Sequence, residues 1–342
     1  MHFSPKVLIC LPNLNNSTTL KDTLESLLQQ TYKNYQIIIF DNNSDYETKK
    51  ILYKYKKENK KIKVIFFRKT VKMEDSYNRC INFAKKNRSD FFAIFHTDDI
   101  YDRDIIKEQV HFFQYRSDIS AISTGAYLIN NHNKIIGSSR FLPELQNNIY
   151  NVLDKNKIIN LLFKYNNFLF APSFIFRTKF FKKKKLYFNY KKYSSAADIG
   201  LIYNISKYSN IGFLSKRLLY YRLSLNSYSY RKFYKRIKDS DFFLLLNNIL
   251  KTFGKADNFL VKRLEHEKNF ILMQDRSRTS INSLINGLVI KKKIHIIMNI
   301  NQGVNSYYNF KKFLFSFFIF FILKIPFIKF LIIFYIKFIR RY

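Results

Sequence analysis

Glycine is scarce in this chain, at 7 of 342 residues, where about 7% is usual. Neither GxGxxG nor GxxxxGKS/T occurs, and both of those loops need glycine where the backbone closes on a diphosphate. Dinucleotide-binding and P-loop chemistry are thereby disfavoured. The loop after the first expected strand, residues 12–16, has no glycine at all, which also speaks against a sugar nucleotidyltransferase. Only two cysteines are present, Cys10 and Cys80. They are too few for a disulfide framework and read as small buried hydrophobes in a reducing compartment.

Acid is scarce too. Asp and Glu together number 24 against 60 Lys and Arg, a formal charge of +36. Such a surplus attracts phosphate of any origin, whether nucleic acid, anionic lipid or a diphosphate substrate. It does not choose among them, and the chain-wide lean towards Lys, Asn, Ile, Phe and Tyr reads as a genomic bias that discounts part of the charge. Long uncharged apolar runs are also lacking. The most apolar stretch, residues 313–339, is broken by Lys324, Pro326, Lys329 and Lys337, so its runs fall short of the roughly 20 residues a spanning helix needs. An interfacial or re-entrant helical pair is expected there, with basic residues facing an anionic membrane surface. A spanning helix and a buried core hairpin are the alternatives. At the other end, residues 7–11 are too short a run before Pro12 for a secretory apolar region. The amino-terminal part is expected at the cytoplasmic face of the inner membrane, peripheral or monotopic.

What is present is enough to fold. A hydrophobic content of 47% over 342 residues supports a sizeable core and about two domains of ~150 residues each. Residues 7–11, 36–40, 62–67 and 91–95 read as apolar strands. Between them, Leu20, Leu24, Leu27 and Leu28, then Ile51, Leu52 and Tyr55, then Met73, Tyr77, Cys80, Ile81 and Ala84 follow helical spacing. Ser17, Thr18 or Thr19 can cap the first of these helices. Alternation of strand and helix predicts an α/β, Rossmann-like, mostly parallel sheet covered on both faces. Ligands of such sheets bind where loops leave the carboxyl ends of the strands, which here means residues 12–15, 41–44 and 96–99. Beyond residue 118 the pattern turns to β-like segments at 119–129 and 134–141, with 130–133 as a turn. Residues 230–299 read as mainly helical, with Phe242, Leu245, Leu246, Ile249 and Leu250 as one stripe.

Asp98 and Asp99 follow the apolar run Phe91-Phe-Ala-Ile-Phe95 and His96-Thr97, so a buried strand delivers two carboxylates to the ligand edge. Hard oxygen donors of this kind suit Mg²⁺ or Mn²⁺, which neutralise a departing diphosphate. A cap on the helix beginning near Arg103 is the competing use of Asp99 and Asp102, and is preferred for Asp102. Asp41 ends the second strand, where it either accepts a hydrogen bond from a base or ribose or closes a turn with Ser44. Arg68, Lys69 and Lys72 read individually as solvated charge. Asp198 stands at the start of a helix, where a cap is the ordinary reading and a general base the functional one.

Taken in order and spacing, several motifs resemble the inverting family 2 glycosyltransferases of GT-A fold. They are Val7-Leu-Ile-Cys-Leu-Pro-Asn-Leu-Asn15, Ser26-Leu-Leu-Gln-Gln-Thr-Tyr32, Gln36-Ile-Ile-Ile-Phe-Asp-Asn-Asn-Ser44, Asn78 and His96-Thr-Asp-Asp99. Pro172-Ser173, Asp198 and Leu218-Leu-Tyr-Tyr-Arg222 with Asn226 and Ser229 continue the series. The likeness covers residues 5–230. It implies a GT-A domain at 1–230, with a nucleotide-sugar half at 1–118 and an acceptor half at 119–230. A helical extension at 231–342 ends in the membrane-associating segment 313–339.

The resemblance further implies transfer from a nucleotide-sugar donor to a glycan or lipid-linked acceptor in bacterial surface-polysaccharide assembly. Leu11, Pro12, Asn13, Asn15, Asp41, Asn43 and Asn78 fall at donor-binding positions, Asp98 with Asp99 at the metal, and Asp198 at the base. Four positions depart from the pattern: Leu14 for a frequent tyrosine, Asn42 for a second aspartate, Ala197 for the usual glutamate, and Ser224 for a common histidine. His96 also stands where the first acid of the DxD element belongs. A non-catalytic basic protein binding membrane or nucleic acid is the reading from a different class. It leaves the acid positions unexplained, and no nucleic-acid partner is expected.

Overall fold

A computed structural model describes residues 4–224, 236, 238–253 and 258–285. The described residues divide into two compact units, one of residues 4–162 and 167–224, the other of 163–166, 236, 238–253 and 258–285. The first opens with four strands, β1 (Val7–Asn13), β2 (Tyr35–Asp41), β3 (Ile62–Phe66) and β4 (Phe91–Ile94). All four pair in parallel, Leu11 lying beside Ile39 and Cys10 beside Ile94. β1 is buried along its whole length, as a run of apolar residues on both strand faces requires.

The crossovers are α1 (Leu20–Leu28), α2 (Tyr46–Glu58) and α3 (Met73–Lys86). Leu20, Leu24 and Leu27 form the buried face of α1, the i, i+4, i+7 stripe seen in the sequence. Thr19 occupies the cap position of α1 without capping it. Its hydroxyl donates instead to Asn16 Oδ1 and to the Thr97 carbonyl. Asp45 does cap α2, accepting from the Thr48 N–H at 2.9 Å.

The chain continues through β5 (Ile100–Tyr101), α4 (Ile105–Tyr115), β6 (Ile119–Ile129), β7 (Ile135–Ser138), β8 (Tyr150–Leu153) and α5 (Lys155–Tyr165). Then come β9 (Ile175–Arg177), α6 (Thr178–Lys183), α7 (Tyr190–Tyr193), α8 (Ala197–Ser206) and β10 (Asn210–Arg222). The sheet order is β3-β2-β1-β4-β9-β6-β10-β5, with β7 on β6 and β8 on β10. Because β9 is antiparallel to both β4 and β6, and β10 is parallel to β6, strands β1 to β4, β6 and β10 all run one way. This is the mostly parallel α/β sheet that the alternating pattern predicts. The β6–β7 turn is held by Asn130 Oδ1, which accepts from the N–H groups of His132 and Lys134. Asn133 takes a left-handed φ of 60°.

In the second unit, α9 (Phe242–Leu250) buries Phe242, Leu245, Leu246, Ile249 and Leu250, the expected stripe. α10 (Asn258–Ile285) follows. Arg236 pairs with Asp275, and Arg276 with Asp239 at 3.1 Å. The segment 313–339 lies outside the described residues. Among the described residues no helix is long and apolar enough to cross a membrane.

Candidate active site

The carboxyl ends of β1 and β2 are welded together by polar side chains. Asn13 Nδ2 donates to Asp41 Oδ1 at 3.1 Å and to Ser44 Oγ at 3.2 Å. Ser44 N–H donates to Asp41 Oδ2, and the Asn15 N–H donates to Ser44 Oγ. Asp41 is fully buried, with both oxygens accepting within this knot, so it shapes the loop and presents no open face. Asn15 and Asn43 both take left-handed φ, 50° and 63°, a conformation asparagine tolerates without glycine. Both are exposed, as is Leu14. Asn42 is pinned elsewhere, exchanging two hydrogen bonds with the backbone of Val71. Asn78 likewise clamps the backbone of Phe188, donating to its carbonyl and accepting from its N–H at 3.0 and 2.9 Å. Its amide therefore holds the 188 segment. Arg68, Lys69 and Lys72 are exposed.

Beyond β4 the acids are held by β10. Asp99 is 1% exposed, and its Oδ1 accepts from the backbone N–H of Arg222 at 2.8 Å. The Arg222 side chain is buried as well. Its Nε donates to the Asp98 carbonyl at 2.7 Å, its Nη1 to the Asn130 carbonyl, and its Nη2 reaches Asp22 Oδ2 at 3.4 Å. Asn133 closes the ring by donating to the same Asp22 oxygen. Asp22 and this four-way use of Arg222 were not singled out in the sequence; nothing local signals them. Asp102 does not cap α4, whose cap position is Asp104; its carboxylate accepts instead from the Asp104 N–H, and α4 begins at Ile105.

Asp99 Oδ2 is buried with no hydrogen-bond partner. An unpaired carboxylate oxygen is costly to bury, and burial together with the charge of Asp98 holds this carboxyl well above the usual range. His96 Nδ1 lies 3.8 Å from that oxygen. Donor atoms of His96, Asp98 and Asp99 all fall within 4.8 Å of one another, so the three residues fit a divalent cation. Burial lowers the His96 pKa from its ordinary value, against the opposing effect of Asp98, which favours the neutral imidazole, the form that ligates metals. His96, treated as a departure in the sequence, thus stands among the donors. Its spacing at i, i+2, i+3 from the two acids was the available signal.

The Asp198 segment is tied to the same neighbourhood through rings. Tyr77 of α3 stands edge-on to His96 and to Phe188, at 5.6 Å in each case, and Phe188 is the residue clamped by Asn78. From there residues 189–196 lead into α8. The cap position of α8 is Ala196, so Asp198 lies inside the first turn rather than capping it. Its Oδ1 accepts from the Ile199 N–H at 2.8 Å. Burial pushes this carboxyl up to about 6, against backbone hydrogen bonds that favour the ionised form. Tyr193 packs on Gly200, where a Cβ would meet its ring at 2.3 Å, so the segment before Asp198 is seated closely on α8.

Comparison with known proteins gives a consistent result. The chain is 27% identical over 167 residues to an uncharacterized glycosyltransferase of Methanocaldococcus jannaschii, covering 48% of this chain and 53% of that one. It is 26% identical over 116 residues to TuaG of Bacillus subtilis, named as a putative teichuronic acid biosynthesis glycosyltransferase, covering 34% and 45%. It spans about half the length of these curated relatives. Among solved structures it is similar to TarS 1–349 of S. aureus in complex with UDP-GlcNAc. That match has a TM-score of 0.53 at 17% identity, covering 82% of this chain and 72% of that one, and it shows a shared fold. The model of glycosyl transferase family 2 matches residues 8–184, more than half of the chain, and the chain belongs to that family of glycosyltransferases.

Proposed function

We propose that the enzyme moves a sugar, with inversion, from a nucleotide-sugar donor to a hydroxyl of a glycan or lipid-linked acceptor in surface-polysaccharide assembly. The observation that carries this reading is the orphaned Asp99 Oδ2, set beside His96 and Asp98 on a carboxylate whose other oxygen accepts from the Arg222 N–H. A divalent cation bound there would supply positive charge to the departing diphosphate. The nucleoside would lie on the exposed rim made by Leu14, Asn15 and Asn43, with Leu11, Pro12 and Asn13 beneath. Asp41 acts through Asn13 and Ser44, and Asn78 through Phe188.

Asp198 would take the proton from the acceptor hydroxyl as its oxygen attacks the anomeric carbon, while the bond to the nucleoside diphosphate breaks on the opposite face. A carboxyl brought to about 6 is a better match to proton transfer near neutrality than an ordinary aspartate. The complex of TarS with UDP-GlcNAc supports a sugar nucleotide as donor. The printed name of TuaG supports a surface glycan as product. In this reading residues 1–230 form the catalytic domain, and 313–339 hold the protein to the cytoplasmic face of the inner membrane.

The test is release of nucleoside diphosphate from a panel of sugar nucleotides with Mn²⁺, repeated with Asp98→Ala. Release confined to one donor and lost in the variant is the expected result. Undiminished release by the variant removes the metal assignment, and no release from any donor removes the transfer reading. Deletion after Tyr308 is expected to free the protein from membranes; unchanged partition into the membrane fraction would remove the role of 313–339.

A further inference from the structure

The donor set at the acid cluster is not all oxygen. We infer that His96 Nδ1, Asp98 and Asp99 form a mixed nitrogen and oxygen site that selects a first-row transition cation over Mg²⁺. The inference rests on the metal-assisted reading above and narrows it. Two donors at about 2.1 Å from one ion stand at most about 4.2 Å apart. The 3.8 Å between His96 Nδ1 and Asp99 Oδ2 satisfies that limit, and the whole set, within 4.8 Å, meets it once the Asp98 carboxylate draws in slightly on the ion. Asp99 Oδ2 has no other partner. Its sister oxygen is fixed by the Arg222 N–H, so the free oxygen keeps one orientation, as in sites where an outer hydrogen bond aims a ligand.

The ring of His96 is also oriented. Tyr77 meets it edge-on at 5.6 Å, and the His96 backbone is held by the Tyr101 hydroxyl, which accepts from its N–H at 2.7 Å. Mg²⁺ demands oxygen ligands and gives up water reluctantly. An imidazole nitrogen suits the transition ions, with affinity rising from Mn²⁺ through Co²⁺. An aspartate at position 96 would turn the set into three carboxylates and remove that discrimination.

The test uses the full chain and metal alone. Calorimetric titrations with CoCl₂, MnCl₂ and MgCl₂ are expected to give Co²⁺ and Mn²⁺ affinities at least about tenfold above Mg²⁺. Pulsed EPR of the Mn²⁺ complex is expected to show coupling to one ¹⁴N nucleus. In His96→Asp the coupling should vanish and the preference over Mg²⁺ should fall about tenfold. Absence of nitrogen coupling in the wild-type complex overturns the inference without needing any variant. So does an unchanged preference in a folded His96→Asp, with circular dichroism as the check on folding. Nucleoside diphosphate release separates the two levels. Release without nitrogen coupling defeats this inference and leaves glycosyl transfer standing, whereas nitrogen coupling with no release from any donor defeats the transfer reading alone.

Discussion

The backbone N–H of Arg222 donates to Asp99 Oδ1 at 2.8 Å across 123 residues of chain. The last residue of β10 thus aims a carboxylate at the end of β4. The guanidinium of the same arginine ties in the Asp98 carbonyl, the β6–β7 turn at Asn130 and the α1 residue Asp22.

Arg222→Met keeps the backbone bond to Asp99 and deletes all three side-chain bonds. Two of these serve carbonyls that are left without that donor, at a cost of about 2–4 kcal/mol in total. Urea unfolding should read that loss. Mn²⁺ affinity measured by titration should fall about tenfold, the usual effect of removing an outer-shell partner.

Asp198→Asn removes the proposed base. Transfer should drop by roughly 10²–10⁴-fold, while donor affinity, read by titration with the nucleoside diphosphate, stays within about threefold. With the wild type, the rate should climb as pH rises through about 6, where Asp198 ionises. A flat rate between pH 5 and 8, as test conditions, would show that another group takes the proton.

The same residue has a stability signature of opposite sense. The folded-state pKa of about 6 lies above the ordinary 3.8, so between those values the folded chain holds more protons than the unfolded one. Stability conferred by the protonated form is present at low pH and is lost as pH rises to about 6. Asp198→Asn is therefore expected to be more stable than wild type at neutral pH by about 1–3 kcal/mol. Denaturant midpoints at pH 4 and pH 7 are the measurement, and the gain should be confined to the higher pH.

Gly200→Ala sets two effects against each other. Alanine improves helix propensity by about 1 kcal/mol, but its methyl would meet the buried Tyr193 ring at 2.3 Å, an overpacking that costs about 1–3 kcal/mol. The clash is with a ring that is 1% exposed and has little room to move, so the net effect should be destabilising. Because Tyr193 leads directly into residues 194–198, turnover should fall more than donor affinity does, which steady-state kinetics would separate.

Strand and helix order was legible along the chain because each element carries its own period. The apolar runs at β1 and β2, the stripe Leu20, Leu24 and Leu27, and the helical face from Phe242 to Leu250 all needed only neighbours in sequence. The acid pair at 98–99 was legible for the same reason: a buried strand ends there and has to deliver whatever follows. Asp41 and Asn78 stood out in the sequence as polar residues at donor-binding positions of the family pattern. What each amide or carboxylate touches depended on Ser44 and Phe188, which the sequence does not connect to them.

The sequence by itself determined the parallel α/β pattern, the two carboxylates delivered beyond the end of β4 and the family likeness, since local spacing encodes all three. Only the tertiary structure decided that Arg222 binds the acid pair to Asp22, Asn130 and β10, and that His96 turns a nitrogen towards the same point. Those contacts join residues far apart in the chain. They form because burying a carboxylate or a guanidinium demands a partner, and the packed sheet alone determines which distant partner is within reach.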